Sequence, residues 1–394
     1  MRLMSVAMGS PRTLSISRMC NGRLGVNADL FMWAPCLSCV FVVTNLNDHC
    51  ATKCARRDEK LQETNRTFFR PFIVELLRFL LITLFRLPDV KGTPMNQPVS
   101  IFYSDDFVVD GAFDTIGKAH ELAKLLNESP ITGTIMVSPS PANRGDIVSV
   151  HDEHYVDEVL NGHGGQFSGD DESATSVLAS TGGVLRAVET VLKNGGCAGS
   201  LSSGLHHAKH DRGSGYCTFN GLVIGARRAL SLGAKRVLIL DLDAHCGGGT
   251  KELIGLLRDQ NIDGIEQVDV SVSSFDQYHN SSFAQLKIVG ASEYLDTIKN
   301  SLAEIVDPQS IDLVIYNAGM DPHEKAGGVT GITDRVIRQR EAMVFEWAKS
   351  HELPTVWVLA GGYSGGSFTK RDVARLHRIT VEESARVYAE VATI

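Results

Sequence analysis

The 394-residue chain carries 38 Lys and Arg against 46 Asp and Glu, a formal charge of −8. The balance is uneven: residues 1–94 hold 13 basic and 7 acidic side chains, residues 95–394 hold 25 and 39. An acidic body of that kind excludes a protein that grips nucleic acid through a basic surface and favours positively charged substrates. Its length allows one large domain plus an extension.

The first 94 residues differ in kind from the rest. Arg2, Arg12, Arg18 and Arg23 among serines, with no acid before Asp29, have the composition of an organellar transit peptide or of a basic disordered arm. Cys36, Cys39, Cys50 and Cys54 have spacings that a small zinc module uses, but no convincing core lies between them. Phe72 to Leu87 is apolar yet broken by Glu75, Arg78 and Arg86. Its uncharged run, Phe79 to Phe85, is far short of the ~20 residues of a membrane span, which leaves a membrane-surface helix as the alternative. The simplest expectation is an extension, residues 1–94, outside the main fold, with translation starting at Met95.

Beyond it, short apolar runs alternate with helical patterns. Strands are predicted near 99–103, 236–241, 268–273, 313–317 and 355–359, each short and rich in Val, Ile and Leu. Helices are predicted near 114–126, 174–193, 219–231, 292–304, 333–349 and 380–392. This alternation predicts an α/β fold over 95–394, a single parallel sheet with helices on both faces. In the helix at 333–349, Arg335, Arg338, Arg340 and Glu341 are expected on a solvated face. Cys197, Cys217 and Cys246 read as reduced thiols, as expected of an intracellular, cytoplasmic or nuclear protein.

The second predicted strand runs into Asp241-Leu-Asp-Ala-His245-Cys-Gly-Gly-Gly-Thr250. Residues two apart in an extended chain share a face, so Asp243 and His245 point the same way. The glycines that follow let backbone approach whatever sits there. Oxygen and nitrogen donors of this kind suit zinc as well as harder divalent ions. A strand end with a solvated Asp and a capping Asp is the bland alternative for this segment alone. Three distant segments weigh against it: Gly204-Leu-His206-His207, followed by a glycine-rich turn; Leu313 to Asp321, a strand ending in an acid; and Thr355 to Tyr363, a strand ending in two glycines and a tyrosine. Polar groups at the carboxyl ends of several parallel strands are where α/β folds build sites.

Together these residues resemble the zinc-dependent histone deacetylase family, which includes acetylpolyamine amidohydrolases, from about Ser100 to about Tyr388. The resemblance implies an arginase/deacetylase-type three-layer sandwich and an amidohydrolase. Its substrates would be acetylated protein lysine or an acetylated small amine, without direct nucleic-acid contact. By it, Asp243, His245 and Asp321 are the zinc ligands, a set that iron also fits. His206 and His207 are the tandem pair, His207 the proton carrier, and Tyr363 polarises the scissile carbonyl. Asp241 orients His206 and, with Ser271, holds a structural monovalent cation, potassium. Gly215 and Tyr216 line the acyl-lysine tunnel, and Asp170 or Asp171 is expected to hold a substrate backbone at its rim.

The chain departs from that pattern in four places. Cys246 stands where the family has a second histidine. Gly248 stands where it has an Asp or Asn, which predicts that His207 lacks its orienting partner. Asp276-Gln-Tyr-His-Asn-Ser-Ser282 replaces a tyrosine-proline-glycine loop, so one tunnel wall must differ, with Tyr278 as its candidate. Phe113 to His120 replaces a proline- and arginine-rich helix entry. Two other functions stay open. Gly248 suits a catalytically weakened acyl-lysine-binding protein. Asp243-Ala-His245 echoes arginase-type ureohydrolases, although Gly247 occupies the position of a carboxylate that a second manganese would need.

Overall fold

The computed structural model describes residues 8–9, 13–18, 26–31, 97–109, 114–163 and 171–389. Contacts separate Met1–Lys91 from Gly92–Ile394. In the first unit the described residues form three short antiparallel strands, β1 (Met8–Gly9), β2 (Thr13–Arg18) and β3 (Val26–Phe31). The cysteines of the extension and its apolar segment 72–87 lie outside the described residues.

Among the described residues the second unit has eight strands: β4 (Val99–Phe102), β5 (Thr134–Val137), β6 (Cys197–Ser200), β7 (Val237–Asp241), β8 (Ile265–Ser271), β9 (Ala284–Ile288), β10 (Leu313–Asn317) and β11 (Thr355–Val358). They lie in the order β5-β4-β6-β11-β10-β7-β8-β9, and every neighbouring pair is parallel. Parallel neighbours need crossovers. Among the described residues nine helices accompany the strands: α1 (Asp114–Glu128), α2 (Arg144–Val148), α3 (Glu153–Leu160), α4 (Asp171–Asn194), α5 (Gly221–Ser231), α6 (Gly248–Asp259), α7 (Tyr294–Ala303), α8 (Asp334–Ser350) and α9 (Lys370–Tyr388); all but α9, which follows β11, lie in connections between strands.

Both faces of the sheet are covered, and the strand period shows how. On β7, Leu238 and Leu240 join α1, α7, α8 and α9 in one core, while Val237 and Ile239 join α2 to α6 in the other. Each such side chain contributes roughly 1.5–3 kcal/mol on burial, which is why the central strands read as unbroken apolar runs. No helix among the described residues is long and apolar enough to cross a membrane.

The five predicted strands are present. β5, β6 and β9 were not legible as strands, β6 because its sequence is Cys-Ala-Gly-Ser. Gly199 within it has a packing reason: a Cβ there would lie 2.1 Å from the Trp357 ring carbon Cζ2. The last helix is corrected from 380–392 to Lys370–Tyr388. It starts at a capping box in which the Thr369 hydroxyl accepts from the Asp372 N–H and the Asp372 carboxylate accepts from the Thr369 N–H. Arg340 and Glu341 are corrected from a solvated face to the interior, both 0% exposed. Arg340 Nη1 donates to the carbonyls of Gly319 (2.7 Å) and Leu242 (3.1 Å), and Glu341 Oε1 accepts from Arg340 and from the Tyr316 hydroxyl. This buried pair ties down the segments that leave β7 and β10, the two that carry the site.

Candidate metal centre and histidine pair

Because all strands run the same way, the carboxyl ends of β7, β10 and β11 meet at one edge, where the chain leaves the sheet. Asp243, His245 and Asp321 converge there. Each offers one ligand atom, and the three atoms lie within 4.8 Å of one another. His245 Nδ1 is 3.1 Å from Asp243 Oδ1 and 3.1 Å from Asp321 Oδ2. The Gly361 N–H donates to Asp243 Oδ2 at 2.7 Å and the Ala244 N–H to Asp321 Oδ1 at 3.0 Å. Asp321 Oδ2 is buried and, despite its nearness to His245, accepts no hydrogen bond. A buried carboxylate oxygen in that state fits a metal ligand.

The electrostatics point the same way. Burial and the charge of Asp243 push the Asp321 carboxyl up. Burial opposes a charge on His245, but Asp243 and Asp321 outweigh it and drive the imidazole up to about 11. The pair of acids therefore calls for a positive charge between them. Gly361 keeps the space open: a Cβ there would lie 2.2 Å from Asp321 Oδ2 and 2.5 Å from Asp243 Oδ2. Two carboxylates and one imidazole suit zinc or iron. Among the described residues this is the one cluster of three such side chains that can hold a metal.

His206 and His207 lie together beside the triad, their ring centroids 3.9 Å apart and their planes tilted by 40°. His206 Nδ1 lies 2.8 Å from Asp241 Oδ2, and Asp241 Oδ1 accepts from Asn317 Nδ2 at 2.8 Å. Burial disfavours a charged His206, but Asp241 and Asp243 prevail and raise it to about 10. Burial, then the neighbouring His206, lowers His207 to about 4. The two imidazoles thus divide into one charged and one neutral ring. The expectation that His207 lacks an orienting partner is corrected: its Nδ1 lies 3.0 Å from Asp276 Oδ2, on the loop after β8.

Tyr363 stands across from His245, ring centroids 6.4 Å apart. Burial and the charges of Asp321 and Asp243 raise its phenol, so it keeps its proton and can donate it in a hydrogen bond. Gly215 adopts φ +52°, and a Cβ on it would lie 2.4 Å from His207 Cδ2. Tyr216 follows it, 43% exposed. Phe275, 49% exposed, stands nearly perpendicular to the rings of His207 and His245, with centroids 4.9 Å and 5.7 Å away. Phe275, and not Tyr278, is thus the aromatic of this loop that lies against the two histidines. Tyr278 instead lines a separate groove with Lys209, Gly248 and Lys251, and burial and the charge of Asp269 raise its phenol. Cys246 donates its thiol to the Ser273 carbonyl at 3.2 Å, and burial pushes it up to about 12.

Ser271 is buried and donates to Asp269 Oδ1 at 2.6 Å. Asp269 pairs in register with Asp241, and burial together with Asp241 raises its carboxyl well above the usual range. Asn317 Oδ1 and Gln267 Oε1, from the flanking positions, are buried without partners. An all-oxygen set with unused acceptors fits a hard cation. Asp269 was missed in the sequence, although its spacing of two from Ser271 puts both on one face. Asp170 and the side chain of Asp171 lie outside the described residues.

Residues 114–378 match the histone deacetylase domain model. The chain belongs to the histone deacetylase family. It is 27% identical over 297 residues to a probable deacetylase of Methanothermobacter thermautotrophicus, covering 70% of this chain and 87% of that one. It is 26% identical over 303 residues to histone deacetylase 2 of Arabidopsis thaliana, covering 70% and 76%. The crystal structure of the HDA15 HD domain superposes with a TM-score of 0.58 at 16% identity, over 75% of this chain and 92% of that one. The family membership supports a deacetylase acting on acetylated substrates. The fold of this histone deacetylase family member is the deacetylase fold.

Proposed function

We propose that residues 95–394 form a zinc-dependent amidohydrolase that removes an acetyl or related acyl group from a lysine side chain or a small amine. The observation that carries this reading is the convergence of a two-carboxylate, one-imidazole triad, a histidine pair in which each ring faces its own carboxylate, and a tyrosine on one edge of the sheet. Asp243, His245 and Asp321 would hold the metal, which when bound supplies a Lewis acid for the amide carbonyl and lowers the pKa of water to about 7. His207, kept neutral, takes the proton from the attacking water and returns one to the departing amine. His206, charged and braced by Asp241, stabilises negative charge beside it. Tyr363 donates to the developing oxyanion, a contact worth about 3 kcal/mol. Tyr216, Gly215 and Phe275 form an apolar sleeve for the methylenes of a lysine or polyamine. A potassium ion at Asp241, Asp269 and Ser271 would offset the charge of the two buried acids.

The acidic balance of residues 95–394, 25 basic against 39 acidic, favours a cationic substrate. The reading as a weakened acyl-lysine binder rested on a His207 without a carboxylate, and Asp276 removes that premise. The test is acetate release by the full chain against an Asp243→Ala variant, with bound metal measured in both. Loss of metal and of release together is expected. Release by the variant at the wild-type rate would refute the assignment.

A further inference from the structure

Asp276 sits in a slot that the rest of the site is shaped to provide. Its Oδ2 faces His207 Nδ1 at 3.0 Å and accepts from the Gly249 N–H at 3.1 Å, while its Oδ1 accepts from Lys209 Nζ at 2.7 Å. Both oxygens are therefore committed, one to the histidine and a helix start, the other to a cation. The residue itself adopts φ +60°, a left-handed conformation that a non-glycine holds only when its surroundings fix it. Across the slot lies Gly248. A Cβ at that position would fall 2.4 Å from both the carbonyl oxygen and Oδ1 of Asp276 and 2.6 Å from its Cγ. A side chain at 248 and the carboxylate at 276 thus claim the same volume, and only one of them can be present.

The ring of His207 is held from its other sides as well. Gly215 closes on Cδ2, and the Phe275 ring stands nearly perpendicular to it with centroids 4.9 Å apart. Nδ1 is the ring nitrogen turned to the carboxylate. A carboxylate that is ionised can only accept, so it selects the tautomer with the proton on Nδ1 and leaves the lone pair on Nε2. We propose that Asp276 is the positioning residue of His207, fixing its tautomer and ring plane from the loop after β8, and that Gly248 is the vacancy that admits it. The assignment rests on the reading of His207 as the proton carrier. Asp276 neither gains nor loses a proton in the reaction.

The slot is reachable from outside, because Asp276 also lines the groove shared by Lys209, Gly248, Lys251, Glu252 and Tyr278. That permits a test which separates positioning from mere loop support. The full chain, loaded with zinc, is assayed on an acetyl-lysine peptide and on acetylated spermidine as wild type and as Asp276→Ala, each with and without added formate. The imidazole N–H resonances of both proteins are recorded without substrate and assigned with His207→Ala. The expected result is a roughly 10- to 100-fold fall in kcat with KM within about twofold, loss of the His207 Nδ1–H resonance, and a several-fold recovery of kcat by formate in the variant alone. A variant that keeps its kcat within about twofold, or one whose loss formate leaves untouched while its Tm falls in step, would overturn the proposal. Wild type that releases acetate from neither substrate would overturn the functional reading instead, and the His207 resonance would still decide whether Asp276 holds Nδ1–H.

Discussion

The two histidine–carboxylate pairs of this site are made from different material. His206 leans on Asp241, the last residue of β7, which is buried, hydrogen-bonded by Asn317 on the neighbouring strand and only two residues from Asp243. His207 leans on Asp276, on an irregular loop, with its side chain 14% exposed and its second oxygen bridged to Lys209. The first carboxylate is fixed by the ladder of a central strand and has no freedom to be elsewhere. The second is fixed by what is missing opposite it, a side chain at position 248. A function held by a regular element is tied to sequence spacing, whereas one held by a loop can be served from another segment.

That contrast can be broken by removing each carboxylate in turn. Asp241→Ala leaves the His206 imidazole and the Asn317 amide without their buried partner, so it should cost about 3–5 kcal/mol of stability in denaturant unfolding. A cost under ~1 kcal/mol would mean that the pair is not a buried charge pair. Tyr363→Phe leaves both pairs intact and removes the hydroxyl proposed to donate to the oxyanion. Its kcat should fall by roughly 100- to 1,000-fold with a modest change in KM; an equal loss in affinity would contradict the role given to its hydroxyl.

The loop pair should also respond to pH in a way set by its sign. Burial alone would raise the Asp276 carboxyl, but His207 and Lys209 outweigh it and hold it below 3.8. A carboxylate whose folded pKa is depressed contributes stability that is full above its unfolded pKa and is lost as pH falls through the folded value. The stability gap between wild type and Asp276→Asn should therefore be constant across neutral pH and close only in acid, as read from Tm against pH. A gap that instead opened in acid would reverse the sign of the interaction. Smallest of all, Lys209→Met removes a partly exposed ion pair and should shift stability by less than ~1 kcal/mol, with His207 still partnered by Asp276. A larger loss would make Lys209, rather than the slot at Gly248, what fixes the carboxylate.

What was legible in the sequence follows the same division. The triad, the tandem histidines and Asp241 lie at strand ends or in short motifs, where an i, i+2 spacing or a glycine pair reports geometry directly. The apolar central strands β7, β10 and β11 were readable from their unbroken runs of Val, Ile and Leu or aromatic residues. β6 was not, because a strand of Cys-Ala-Gly-Ser is small to admit Trp357 and so carries no apolar signal. Arg340 and Glu341 were misplaced because charge alone reads as surface, while their burial depends on the carbonyls of Gly319 and Leu242 coming together from two distant strands. Asp276 was invisible as a partner of His207 for a similar reason: 69 residues separate them, and the only local hint was a glycine whose meaning depends on what fills the space it leaves.

The central claim is that the triad and its two histidines hydrolyse an acyl-amine bond with a metal. The most direct measurement is acetate release by the zinc-loaded full chain from acetyl-lysine peptide and acetylated spermidine, side by side with Asp243→Ala and with a chelator-treated sample. Release from at least one substrate, abolished by the chelator and by the variant and restored by zinc, is the predicted result. Zinc bound at the triad with no release from either substrate would contradict the account.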